Sequence, residues 1–96
     1  MPSSTAFVVT DAAERYAKQL ASHLGRKIEV EELPDGVRRL VFAKGDAVLT
    51  PEPERLVMRA DAEDAASLAV VEDVVGRHLE RFGQRNELAV TWQKDS

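Results

Sequence analysis

The sequence predicts a two-layer α+β domain, an antiparallel sheet with two helices on one of its faces. Three observations carry that expectation. Two stretches repeat apolar residues at three- and four-residue spacing, the period of a helix with one buried side. Around them lie short runs in which apolar and polar residues alternate, as in a sheet with one face in water. The four runs in the middle are joined by turns too short for a parallel crossover, so they pair antiparallel. The elements follow in the order β-α-β-β-β-β-α-β.

The first strand is Ala6-Phe7-Val8-Val9, a β-branched and aromatic run. Thr10 or Asp11 can cap the helix behind it, because a side-chain oxygen there accepts from the unpaired N–H groups of a helix start. Asp11 and Glu14 also fit a loose capping box. Ala13, Tyr16, Ala17, Leu20 and Leu24 share one side of this helix, expected near 11–24. Gly25 is expected to stop it in the left-handed conformation.

Ile28 and Val30 alternate with Lys27, Glu29 and Glu31 in a second strand. Leu33-Pro34-Asp35-Gly36 reads as a turn, since proline presets its φ and glycine tolerates a positive one. Val37 to Ala43 forms the third strand, with Leu40 and Phe42 on one face and Arg39 and Val41 on the other. Lys44-Gly45-Asp46 turns the chain into Ala47-Val48-Leu49-Thr50, and Pro51-Glu52-Pro53 breaks it. Arg55 to Ala60 alternates cleanly, Leu56, Met58 and Ala60 inward, Arg55, Val57 and Arg59 outward.

Asp61 and Asp64 stand where the N-cap and third position of a second helix, near 62–82, would be. Leu68, Val71, Val75, Leu79 and Phe82 follow at helical spacing, and Gly83 ends the run. Leu88, Val90 and Trp92 alternate as a closing strand. The expected core is Leu20, Leu24, Leu40, Phe42, Leu56, Met58, Leu68, Val71, Val75, Leu79, Leu88 and Val90.

At 96 residues the chain is expected to form one domain, 1–96, with a single two-layer core. Apolar residues make up 44% and charged residues 31%, the balance of an ordinary globular domain. A net charge of −4 argues against broad attraction to nucleic acid or anionic lipid. Without cysteine there is no disulfide, thiol or iron–sulfur chemistry. No apolar run approaches the roughly 20 residues that span a bilayer, and the N-terminus lacks a basic-then-apolar leader, so a cytoplasmic protein is expected.

No phosphate loop, dinucleotide fingerprint or nucleophile elbow can be written from these residues, and neither cofactor nor metal is expected. His23 and His78 each lie about 60° from the middle of their helix's apolar side, at 100° per residue, so both can point into a groove between the helices. Histidine titrates near neutrality and ligates metals, but no HxxxH or HxxE spacing supports a metal here. Tyr16 and Trp92 have an apolar body and a polar tip, suited to a pocket and more often to a core. The carboxylates read as solvated surface.

Arg39, Val41, Arg55, Val57 and Arg59 fall together on the sheet face away from the helices, a mixed basic and apolar surface of the kind used in recognition. The leading expectation is a non-enzymatic interaction or accessory domain, a homodimer or the companion of a protein partner, using that face. The alternative is a small-molecule or metal-binding protein, or a minor enzyme, with Tyr16, His23 and His78 around the groove.

The element order resembles one repeat of the TATA-binding protein with a strand added, a likeness of shape alone. Several segments also resemble the bacterial family known as domain of unknown function 2218. They are Ser4-Thr5-Ala6, Arg15-Tyr16 with Lys18-Gln19-Leu20 and His23, and Lys27 with Val30-Glu31. Val71-Glu72-Asp73-Val74-Val75, His78-Leu79-Glu80-Arg81-Phe82, Glu87-Leu88, Val90 and Thr91-Trp92 complete the set. The chain departs at Gly83-Gln84 and at Ala21-Ser22, where the family tends to have other residue types. The resemblance implies no established activity. Some family members lie beside or are fused to siderophore-interacting flavin reductases, which implies a context of iron metabolism.

Overall fold

In the computed structural model, which describes residues 2–83, 88 and 90–94, eight elements alternate as the periodicities predict. They are β1 (Ser3–Val9), α1 (Ala13–Leu24), β2 (Glu29–Glu32), β3 (Arg38–Phe42), β4 (Gly45–Pro51), β5 (Arg55–Ala62), α2 (Ala65–Phe82) and β6 (Gln93–Lys94). The strands form one sheet in the order β2-β3-β4-β5-β1-β6, and every pair is antiparallel.

The alternating pattern becomes two unlike faces. Along β5, Leu56, Met58, Ala60 and Ala62 are fully buried while Arg55 and Arg59 are exposed. Val8, Leu40 and Leu49 point to the same inner side and join Tyr16, Leu20 and Leu24 of α1 and Leu68, Val71, Val75 and Leu79 of α2 in one core. Ala6, Ala47 and Ala60 also face inward, and such short side chains let the helices sit close on the sheet. Phe42, Leu88 and Val90, expected in the core, are partly buried at its margin.

The turn at Leu33-Pro34-Asp35-Gly36 has a short 3₁₀ segment over Pro34–Gly36, with Asp35 at φ 64° and Gly36 at φ 78°. Asp and Gly are the residues that enter this region at least cost.

Four local expectations are corrected. Asp61 belongs to β5 and does not cap α2; Asp64 does, its Oδ1 accepting from the Ser67 N–H at 2.7 Å. Pairing of Asp61 with Ser3 and Asp46 extends the strand past the point where a cap was expected. Gly25 is right-handed (φ −61°) and simply continues the helical turn, its N–H reaching Ala21 O. At the other end of α1, neither Thr10 nor Asp11 is the N-cap. Thr10 Oγ1 accepts from the Ala12 N–H at 3.1 Å and folds the turn ahead of the helix, which begins at Ala13.

Leu88, Val90 and Trp92 form no strand. They lie against α2, and pairing starts only at Gln93, which meets Thr5 of β1. Glu80 Oε2 accepts the Val90 N–H at 2.9 Å, so a helix side chain takes a donor that a ladder would need. Gly76 makes room for this segment: a Cβ there would stand 3.2 Å from Trp92 Nε1 and 3.5 Å from Val90 Cγ1. Lys94 closes the clamp with an ion pair to Glu72 at 2.6 Å.

Candidate functional site

The helical period of α1 separates two sides. Ala13, Tyr16, Ala17, Leu20 and Leu24 face the core, so Arg15, Lys18, Gln19, Ser22 and His23 are left outside. Packing of the two helices then brings the end of α2 against the same outer flank, beside the end of α1. His23 and His78 meet with ring centroids 5.0 Å apart and planes tilted by 45°. Phe82 stands edge-on to His23 at 5.4 Å. The His78 Nδ1–H donates to Val74 O at 2.6 Å, because a carbonyl can only accept; this leaves Nε2 as the nitrogen available to a ligand when the ring is neutral.

The structure therefore joins the two histidines predicted to share a groove, and it places Tyr16 apart from them. Tyr16 is 3% exposed in the core and does not line the groove at His23. Trp92, the other amphipathic aromatic, packs on Gly76 at the far flank of α2. Among the described residues no three His, Asp or Glu side chains are grouped to hold a metal ion.

What the periodicity left unremarked is the company of His23. A groove of 450 Å³ is lined by Arg15, Lys18, Gln19, Ser22, His23, Arg26 and Phe82. Among the described residues it contains three cationic side chains and no carboxylate. Helical spacing groups part of this lining, since Arg15, Lys18, Ser22 and Arg26 recur at three- and four-residue steps, but it does not show which of the cations lack a carboxylate.

The open sheet face is the second candidate. Register puts Thr5, Arg59, Val48, Arg39 and Glu31 in one row across five strands, with Phe7, Val57 and Thr50 in the next. All five residues expected on this face are there: Arg39, Val41, Arg55, Val57 and Arg59. Phe7 (47% exposed) and Val9 (80%) belong to it as well. They escaped notice because the run Ala6-Phe7-Val8-Val9 is apolar throughout and hides its alternation.

The arginines of this face are already paired within the chain. Arg39 bonds Asp46, its Nε at 2.8 Å, and also Glu31. The hydrogen bond that Arg39 donates to Asp46, the Asp46 charge, and then the hydrogen bond it donates to Glu31 hold its pKa above the ordinary arginine range. Arg55 pairs with Glu52 at 2.6 Å and lays its guanidinium 4.7 Å from the centre of the Phe7 ring. Arg59 reaches Asp61 at 3.4 Å.

A family described as "Uncharacterized protein conserved in bacteria (DUF2218)" matches residues 5–93. Among solved structures, the NMR structure of PA4090 from Pseudomonas aeruginosa is similar at 34% identity, over 97% of this chain and 96% of that one, with a TM-score of 0.80. No curated protein matches. No described helix is long and apolar enough to cross a membrane.

Proposed function

The chain belongs to the bacterial DUF2218 family, and for this member we propose a non-enzymatic interaction domain that pairs with a second copy of itself through the uncovered sheet face. One observation carries the reading: Phe7 and Val9 stand exposed on a face that neither helix covers, Phe7 opposite Val57, with Val48 and Val41 stepping diagonally away across β4 and β3. Contiguous apolar surface with neutralised arginines around it favours association, because burying it releases water without stranding a charge.

A second copy fits as the occupant because the face needs no charge from a partner: Arg39, Arg55 and Arg59 are paired within the chain. Two copies laid face to face can bury Phe7 and Val57 of each against the apolar residues of the other. Such self-complementarity is what a two-fold dimer needs, and a stable one buries on the order of 1,200–2,000 Å² in total. The same reading puts the protein in the cytoplasm, which cell fractionation checks.

Sedimentation velocity over a concentration series tests the association. A dimer is expected, and Val57→Asp is expected to shift it to monomer while the circular dichroism spectrum stays unchanged. A monomer at every accessible concentration overturns self-association.

A further inference from the structure

We infer that the groove beside His23 binds a phosphorylated small molecule that carries a ring, of about nucleotide size. This site is separate from the sheet face and does not depend on it.

Ion pairing sets the groove apart from the sheet. Each of the four sheet arginines, Arg38, Arg39, Arg55 and Arg59, has a carboxylate within 4 Å. Arg15, Lys18 and Arg26 have none among the described residues, although the chain carries 17 acidic side chains against 13 lysines and arginines. Unpaired cations gathered in one concavity of an acidic protein maintain a local positive potential, and such a potential attracts anions.

Helix stability does not explain the cluster. Arg26 follows the carbonyl end of α1, where a cation is favourable. Arg15 is the third residue of the same helix, close to its positive end, where a cation is unfavourable. Its guanidinium lies 5.7 Å from the Tyr16 ring centre, which holds the planar fork against the helix surface.

The lining then narrows the ligand. Lys18, Gln19 and Ser22 add hydrogen-bond donors between the two arginines, and forked guanidinium groups suit a multi-oxygen anion. Residues 15 to 22 span about 10 Å at 1.5 Å per residue, room for more than one phosphate. Phe82 and the His23 ring supply an apolar wall on which a flat ring can rest. The groove, 450 Å³ and open along one side, has room for a ligand of this size.

Titration of ¹⁵N-labelled protein with ADP, pyrophosphate, adenosine and citrate, followed by amide NMR, tests the inference. ADP is expected to shift the amides of Ser22, His23 and Arg26, more tightly than pyrophosphate and far more tightly than adenosine. Arg15→Gln with Arg26→Gln is expected to weaken ADP at least tenfold with the dispersed spectrum retained, and Lys44→Gln, outside the groove, to leave it unchanged. Adenosine binding as well as ADP overturns the role of the phosphates. Citrate binding as well as ADP overturns the assignment of a phosphorylated ring. No shift by about 10 mM ADP, a level that would detect even millimolar affinity, overturns the site, as does an unchanged affinity in the double variant.

Discussion

The open sheet face and the groove on α1 use the same residue type in opposite ways. On the sheet, Arg39, Arg55 and Arg59 spend their charge on Asp46, Glu52 and Asp61 within the chain. Exposed pairs of this kind add little stability, but they leave Phe7, Val9 and Val57 surrounded by a surface of nearly balanced charge. In the groove, Arg15, Lys18 and Arg26 form no ion pair with a carboxylate among the described residues. Neutralisation thus separates a surface suited to apolar association from one suited to an anion, and arginine content alone would not tell them apart.

The largest expected effect tests what both regions share. Leu79, on the inner side of α2, is fully buried in the core between helices and sheet. Leu79→Ala removes contacts on all sides and is expected to cost about 2–5 kcal/mol, read as a lower urea midpoint. That is a large part of the 5–15 kcal/mol typical of a domain, so the face and the groove should weaken together. A loss well under about 1 kcal/mol would mean that the site relaxes around the missing atoms.

Phe7→Asp separates the two regions. It should weaken association at least tenfold and leave ADP-induced shifts at Ser22 and His23 as they were. The double variant Arg15→Gln and Arg26→Gln should do the reverse. If either change disturbs both readouts, the two surfaces are coupled and the contrast between them fails.

The smallest effect concerns the α2 start. The hydrogen bond from the Ser67 backbone N–H holds the Asp64 carboxyl below its usual range. Because its folded-state pKa is depressed, this contribution is present above the unfolded value of about 3.9 and is lost as pH falls through the folded value. Asp64→Ala should lower the urea midpoint at neutral pH, and the gap from the parent should narrow in acid. Asp64→Asn keeps a good cap and should lose mainly the pH dependence.

The two regions also differ in how far they could be read from the sequence. Arg39, Val41, Arg55, Val57 and Arg59 were legible because strands alternate with a period of two, so one inward leucine fixes the direction of every neighbour. Phe7 and Val9 were hidden by an unbroken apolar run. His23 and His78 could each be aimed at an interhelical groove, but their 5.0 Å approach depends on how two helices cross, which no local period encodes. The groove cations needed a map of which charges find partners, and pairing is a long-range property.

By itself, then, the sequence determined the element order, the antiparallel meander, the buried sides of α1 and α2 and the exposed face of the sheet. Local hydrophobic periods and turn residues encode these directly. Tertiary structure decided what depends on competition for the same groups. Asp61 stayed in β5 because strand pairing claimed it. Leu88, Val90 and Trp92 left the sheet for α2, where Gly76 gave them space and Glu80 took a backbone donor. Among the described residues folding placed no carboxylate in ion-pair reach of Arg15 and Arg26, whereas register across the strands brought Asp46 to Arg39. Such outcomes turn on residues distant in the chain meeting at a few ångströms, and no local pattern in the sequence records that.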